Sequence, residues 1–278
     1  MPLKKVWSNV NNKVKKGSYF KPTMIYKLEN KLNKYDIPKN TISIYGNHPV
    51  RSALLSSNRN CYLLCTTKRK IDYWNNFLVC NKIKIKIYIL ETFELDKICN
   101  TNNHQGIIVF SSKIIKKQLS QYLKNLSEKK TRILILDQLT DPQNVGSIIR
   151  SAFAFNFDAV CLLKNNSPIE TPSLIKASAG EIDKIQILEI GNLAQEIKVL
   201  KKNDFFIYGL DGQGKKKIQE VDKTDDRIAL IIGAEGKGLR NLTKENVDEI
   251  IKIDINSKCN SLNASNAASV AMYEISKN

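Results

Sequence analysis

From Thr131 to the end of the chain, short apolar runs alternate with stretches of helical apolar spacing, and this alternation narrows the fold more than any other feature. The runs Ile133–Asp137, Ala159–Leu163, Ile185–Ile190, Phe205–Gly209, Ile228–Ile232 and Ile250–Ile255 read as strands. Several are apolar at consecutive positions, which means burial on both faces, and strands separated by helices imply a parallel sheet covered on both sides. Helices are expected over Leu193–Lys201 and over Thr243–Glu249, with Thr243 as N-cap. Another begins near Asn144 and buries Val145, Ile148, Ile149, Ala152 and Phe153.

A smaller version of the pattern lies upstream. Strands are expected at Ile42–Tyr45, Cys61–Cys65, Ile85–Leu90 and Gly106–Phe110, with helices over His48–Leu55 and Ile71–Cys80, so residues 41–111 read as a small α/β domain. Residues 112–130 are Lys-rich with Ile114, Ile115, Leu119, Leu123 and Leu126 at helical spacing, and read as a helical linker. Residues 1–40 hold Lys4, Lys5, Lys13, Lys15, Lys16 and Lys21 among Asn, Ser and Gly, and read as a basic arm that stays unstructured until it meets a partner, with a short helix as the alternative over Met24–Leu32. Residues 131–278 form the last domain.

The basic excess is confined to one half. Residues 1–130 carry 25 Lys/Arg against 7 Asp/Glu, whereas residues 131–278 carry 19 against 20. A one-sided positive field suits a polyanion, because cations that neutralise phosphates release condensed counterions, so the expected partner is RNA or DNA. No apolar run approaches the roughly 20 residues that span a bilayer, and Met1–Lys5 opens no secretory signal. A soluble cytoplasmic protein with no membrane partner is expected. The six cysteines form no Cys-x-x-Cys pair and the only histidines are His48 and His104. No metal site is expected, and the thiols read as reduced core residues.

Three stretches at strand ends carry the chemistry, where open α/β sheets build ligand crevices. In the first, Asn144-Val145-Gly146 and Arg150, Gly146 and Arg150 share a helix face, so that a ligand backbone can approach a guanidinium able to fork onto phosphate. The second, Gly233-Ala234-Glu235-Gly236-Lys237-Gly238-Leu239, has neither dinucleotide nor phosphate-loop spacing, and Glu235 disfavours phosphate. Its glycines allow close contact with an uncharged or cationic ligand. The third, Ser261-Leu262-Asn263-Ala264-Ser265, leads a helix whose Ala264, Ala267, Ala268 and Ala271 admit another backbone. Taken singly, each is equally a cap or a turn. Gly209–Lys215 reads as a basic turn.

In this order and spacing the three stretches resemble the signature motifs of the SpoU (TrmH) family of RNA ribose 2′-O-methyltransferases, over Arg132 to Ile275. Asp137 and Lys176-Ala177-Ser178-Ala179-Gly180 are in keeping with it. Ile44–Val50 and His104-Gln105-Gly106 are similar to the N-terminal substrate-binding domain of the ribosomal RNA subgroup, which has a ribosomal-protein-like fold. That similarity favours the enzymes that methylate a guanosine of bacterial-type 23S ribosomal RNA over the compact tRNA enzymes. The resemblance implies a deep trefoil knot of the SPOUT type, a topology that general chain rules make improbable, and also S-adenosylmethionine as cofactor and a homodimer. It implies catalytic roles for Asn144, Arg150, Glu235, Ser261 and Asn263, and cofactor contacts from Gly233, Ala234, Gly238, Ile253, Ile255, Ser261, Leu262 and Asn263. Asp254 stands where the family usually has proline, and Ser257 where glycine is common.

The proton of the ribose hydroxyl has two candidate routes. The family assigns it to the arginine at Arg150 with help from a substrate phosphate; alternatively Arg150 clamps anionic oxygen while the proton leaves through Glu235 or water. The competing functional expectations are a tRNA or resistance-type ribosomal RNA methyltransferase, and an RNA-binding protein without catalysis.

Overall fold

A computed structural model describes residues 35, 37–164, 170–222, 225–234, 236 and 238–277. It divides into two compact units, residues 1–114 and 115–278. Most of the basic arm read over residues 1–40 lies outside the described residues. Ile37, however, is buried in the core of the first unit, so the small domain begins before Thr41.

The first unit is a four-stranded sheet in the order β1-β4-β2-β3, from β1 (Ile42–Tyr45), β2 (Cys61–Thr66), β3 (Lys86–Ile89) and β4 (Ile107–Ser111). β4 pairs antiparallel with β1 and β2, and β2 pairs parallel with β3. Helices α1 (Asn47–Leu55) and α2 (Ile71–Cys80) lie where the apolar spacing puts them. Sequence spacing gives no sign of α3 (Thr92–Cys99), which is only eight residues long and half polar. It is held by a capping box between Glu91 and Glu94 and stopped by Asn100 in the left-handed region. Leu63, Cys65, Leu90, Leu95, Ile108 and Phe110 form the core.

The second unit holds an eight-stranded sheet, β10-β12-β9-β11-β6-β7-β8-β5, whose described pairs are all parallel. Its strands are β5 (Lys117–Gln118), β6 (Thr131–Leu136), β7 (Ala159–Leu163), β8 (Gln186–Ile190), β9 (Phe206–Leu210), β10 (Lys216–Lys217), β11 (Arg227–Ile232) and β12 (Glu249–Lys252). The helices are α4 (Leu119–Lys124), α5 (Pro142–Ala154), α6 (Pro172–Ala177), α7 (Leu193–Lys201), α8 (Asn241–Asn246) and α9 (Ala264–Ser276). β11 and β6 lie at the centre, and Ile133, Ile135, Ala229 and Ile231 are fully buried there, as continuous apolar runs require. From β6 the chain steps outward through β7 and β8, then returns to the other side of β6. The order therefore reverses at β6 and β11, the kind of point where such sheets open a crevice.

Four local readings change in the fold. Part of the expected linker belongs to the second unit: Lys117–Gln118 pair with β8, and Leu119 and Leu123 of α4 enter its core. α5 begins at Pro142, not near Asn144, because Asp141 caps it by accepting hydrogen bonds from the backbone N–H groups of Gln143 and Asn144. It buries Val145, Ile148, Ile149 and Ala152, at about 1.5–3 kcal/mol for each large aliphatic side chain, but leaves Phe153 exposed. α8 starts after Arg240 with no side-chain cap, and Thr243 lies inside it, buried. β12 ends at Lys252, so Ile253–Ile255 leave the sheet.

All six cysteines are free, but only Cys65 and Cys161 are buried, while Cys80 and Cys259 are exposed. Burial pushes the Cys65 thiol up to about 12, with the Glu94 carboxylate adding to the shift, so it stays protonated. No helix among the described residues is long and apolar enough to cross a membrane.

Candidate cofactor cleft and active site

β11 delivers the chain into the glycine loop, which folds tightly onto itself. The Gly238 N–H donates to the Ala234 carbonyl at 3.0 Å, and a Cβ on Gly233 would lie 2.3 Å from the Gly238 carbonyl oxygen. Gly236 and Gly238 adopt φ of 75° and 63°, which side chains resist.

Asp211, in the turn after β9, anchors this loop. Its carboxylate accepts the Leu239 N–H at 3.1 Å and the Gln213 N–H at 3.0 Å, and pairs with Lys244 Nζ at 2.8 Å. A Cβ on Gly238 would stand 2.6 Å from it. Burial pushes the Asp211 carboxyl up, but the Lys244 hydrogen bond and the two backbone N–H groups outweigh it and hold it below the ordinary carboxylate range. The turn read as merely basic is thus organised by an acid.

The sign of that shift fixes a pH dependence. A carboxylate depressed in the folded state stabilises the loop above the usual carboxylate range, and the contribution is lost as pH falls through the depressed folded value. The Asp211→Asn protein is expected to bind the cofactor about tenfold more weakly at neutral pH, having lost a charge-assisted anchor. Calorimetric titration of both proteins at neutral pH checks this; equal affinities would exclude Asp211 as the anchor.

The third wall arrives from the far edge of the sheet. After β12, Ile253 and Ile255 turn inward, and the chain reaches α9 past the C-terminal ends of β9 and β11. Asn263 caps α9: its Oδ1 accepts the backbone N–H groups of Ser265 at 2.9 Å and Asn266 at 3.4 Å, and the Ser265 hydroxyl at 2.6 Å. With the oxygen so committed, its Nδ2 donates to Asn144 Oδ1 at 3.1 Å. Two asparagines 119 positions apart thereby meet. The contact continues along α5 and α9 through Ser151–Ser269 hydroxyls at 2.8 Å and the Phe155–Tyr273 rings at 5.6 Å.

The result is a cleft of about 590 Å3, within the 300–1,000 Å3 range of small-molecule sites. Of the candidate residues, Gly233, Ala234, Gly238, Ile253, Ile255, Ser261 and Leu262 line it. Asn263 and Asn144 are not among its lining residues. Arg150 is exposed on α5, about 9 Å along the axis from Asn144 at 1.5 Å per residue, and is not part of the lining. Glu235 lies outside the described residues.

Gly146 serves packing, not ligand approach, since a Cβ there would meet the Leu174 carbonyl at 2.5 Å and Ala177 Cβ at 2.7 Å on α6. The Lys176–Gly180 segment is what presses against it. Sequence reading missed Leu210, Asp211, Gly212 and Gln213, which form the opposite wall with Lys244. A carboxylate inside a glycine turn just after an apolar strand, the same signal as in Gly233–Leu239, could have found them. No cluster of His, Cys, Asp or Glu among the described residues is arranged to hold a metal.

In the first unit, the two segments similar to a substrate-binding domain come together. Gln105 Oε1 accepts the Asn47 N–H at 2.8 Å, supplying the cap that Gly46 cannot. His104 accepts the Gly106 N–H on Nδ1 at 2.9 Å, so its Nε2 carries the proton toward Asp96 at 2.8 Å. Around this turn Lys70 Nζ donates to Asn47 at 3.2 Å, and the Arg51 guanidinium lies over the rings of Tyr73 and Phe77. A basic, partly aromatic face results.

The architecture is that of a small α/β domain joined to a parallel-sheet domain with a cofactor-sized cleft at its C-terminal edge. Residues 131–273 match the model of the SpoU rRNA Methylase family, and residues 43–116 match that of the RNA 2′-O ribose methyltransferase substrate binding domain. A protein described as a TrmH family tRNA/rRNA methyltransferase, from Staphylococcus aureus strain MSSA476, is 34% identical over 84% of this chain and 94% of its own length. The 23S rRNA (guanosine-2′-O-)-methyltransferase RlmB of Coxiella burnetii is 33% identical over 84% of this chain and 95% of its own. The crystal structure of the SpoU methyltransferase AviRb from Streptomyces viridochromogenes, in complex with AdoMet, shares the fold with a TM-score of 0.72 at 19% identity. It covers 92% of this chain and 97% of that one. The chain belongs to the SpoU family of RNA ribose 2′-O-methyltransferases.

Proposed function

We propose that the protein transfers the methyl group of S-adenosylmethionine to the 2′-hydroxyl of a guanosine in large-subunit ribosomal RNA. The observation that carries this reading is the joint wall: three strand-end loops, distant in sequence, close one cleft beside the Asn144–Asn263 pair. The cleft suits the cofactor. Ile232, Ile253, Ile255 and Leu262 offer an apolar wall for an adenine, and the glycine loop offers main chain at close range. The guanosine and ribosomal assignment draws on the name of the Coxiella burnetii relative and on the substrate-binding domain in front.

When bound, the cofactor supplies an electrophilic methyl group on sulfur, and transfer breaks that S–C bond as the ribose oxygen forms a new one. The chain must then hold the ribose in line and disperse charge on its oxygen. Arg150 is assigned the clamp on phosphate and alkoxide, because a guanidinium with a pKa above ~12 accepts protons poorly and binds anionic oxygen well. The proton leaves through Glu235 or water. Asn144 and Asn263 fix the start of α5 against the start of α9.

Arg150 reaches no part of its own cleft, and α5 and α9 expose Phe153, Val270 and Tyr273 nearby. We assign this face to the homodimer, and we assign the threading of the last segment into a knot to the passage of residues 253–263 across the strand ends. The basic face of the first unit, with Lys68, Arg69, Lys70 and Arg51, is assigned to RNA.

Mapping 2′-O-methyl groups in RNA from cells with and without the gene is the test. One guanosine of large-subunit ribosomal RNA is expected to lose its methyl group in the deletion. A lost methyl group in tRNA would favour the tRNA reading, and unchanged maps would favour an RNA-binding protein without catalysis.

A further inference from the structure

Asp137, at the end of the central strand β6, is 1% exposed. Its N–H donates to the Ile232 carbonyl at 2.8 Å, tying it to the end of β11. A buried carboxylate needs charged or hydrogen-bonding partners, and here an arginine and a hydroxyl converge. Arg240 Nε donates to Oδ2 at 3.0 Å and the Thr243 hydroxyl to the same oxygen at 3.2 Å, while Arg240 Nη2 stands 2.8 Å from Oδ1 as an ion-pair contact without hydrogen-bond geometry. The guanidinium is therefore held by one hydrogen bond and one close ion-pair contact on a buried carboxylate. Its rotamer freedom is already spent in folding, yet its side chain remains 45% exposed, with the Nη1 edge uncommitted among the described residues.

Arg240 also borders a second cleft. Arg240, Leu242 and Thr243 line a hollow of about 250 Å3, closed by Leu163 at the end of β7 and by Gly191–Ala194 at the end of β8. The cofactor cleft takes Leu239, Asn241 and Lys244 from the same segment. The start of α8 is thus one partition with a face in each cleft. The smaller hollow falls below the ~300–1,000 Å3 of sites that bury a whole small molecule, so it suits part of a polymer better than a free metabolite. Its chemistry is a fixed guanidinium beside apolar Leu163 and Leu242, the latter 57% exposed. Phosphate and the flat face of a sugar or base match those two features.

We infer that Arg240 holds a phosphodiester of the RNA substrate in this second cleft, with Asp137 as the positioning residue that aims its guanidinium. The inference rests on the RNA methyltransferase reading. It places a stretch of RNA on the side of the α8 partition away from the cofactor, and it gives a task to an acid that the reaction itself does not use. Lys244 already ties α8 to the turn after β9 through Asp211, so the Asp137–Arg240 pair is not required for that anchor.

The test compares Arg240→Ala, Arg240→Lys and Asp137→Asn with the unaltered protein. Affinity for a labelled RNA hairpin is measured across a potassium chloride series, S-adenosylmethionine affinity by calorimetry, and methyl transfer into total bacterial RNA at varied RNA concentration. Arg240→Ala is expected to raise the RNA Kd and the KM for RNA about tenfold, as loss of a charged hydrogen bond does. It should also flatten the slope of log affinity against log salt by about 1. Its S-adenosylmethionine Kd and its kcat at saturating RNA should stay within about twofold, since a contact made equally before and during transfer moves KM alone. Arg240→Lys keeps the charge and should restore the salt slope but not the full affinity. Asp137→Asn should raise KM for RNA while leaving that slope near the original.

An Arg240→Ala protein with unchanged RNA affinity and salt slope would overturn the inference. So would a loss of cofactor affinity as large as its loss of RNA affinity, which is the mark of a purely structural pin. An unaltered protein that transfers no methyl group to total RNA would overturn the activity instead.

Discussion

The Gly233→Ala protein is expected to fold and to bind S-adenosylmethionine at least about 100-fold more weakly, a loss near 2.7 kcal/mol. The added methyl group has nowhere to go: it would meet the Gly238 carbonyl oxygen at 2.3 Å, its carbon at 2.4 Å and the Leu239 nitrogen at 2.6 Å, all backbone. Relief requires the loop to open, and opening it pulls Leu239 from Asp211. The sheet beneath is held by separate pairings and should survive, so the thermal transition should move by only a few degrees while calorimetric binding disappears. Retained binding would mean that the closed loop is not the binding form.

The second large effect concerns Arg150. Arg150→Ala is expected to slow methyl transfer about 100- to 1,000-fold, the usual consequence of removing a group aimed at developing oxyanion charge. Cofactor affinity should be unchanged, because Arg150 does not line the cleft. Arg150→Lys separates charge from geometry: a bidentate clamp predicts a loss of at least about tenfold, since an ammonium cannot fork. Single-turnover transfer with saturating cofactor checks both, and near-normal turnover in the lysine variant would dismiss the clamp.

These two residues also mark how far the sequence could be read. Consecutive apolar positions exposed the central strands and their parallel arrangement, because burial on both faces leaves a direct trace in composition. Leu193–Lys201 was equally plain, with its apolar residues at helical spacing. The glycine loop was visible as a cluster, but the reason for Gly233 was not, since its neighbour in space is Gly238 across a bridge that no periodicity encodes. Gly146 looked like an opening for a ligand and proved to be a contact with α6. Thr243 looked like a cap and proved to be a partner of Asp137, 106 positions away. Ile253 and Ile255 continue the pattern of β12, because an apolar cleft wall and a buried strand are written with the same residues. Lys117–Gln118 carries no pattern at all: two residues pair with β8 only because that strand has an open edge. Each departure arises where a distant segment, not local preference, decides the position.

The cleft takes its last wall from residues 253–264, the stretch that leads into the final helix. During synthesis every strand of the sheet has been made before that wall exists. A chain broken off after Lys252 would own a complete sheet, an intact glycine loop and the Asp211 anchor, and still have nothing to close the site. Competence for the cofactor therefore waits on a segment made after every strand of the sheet. A fragment that stops at Lys252 is expected to fail to bind S-adenosylmethionine.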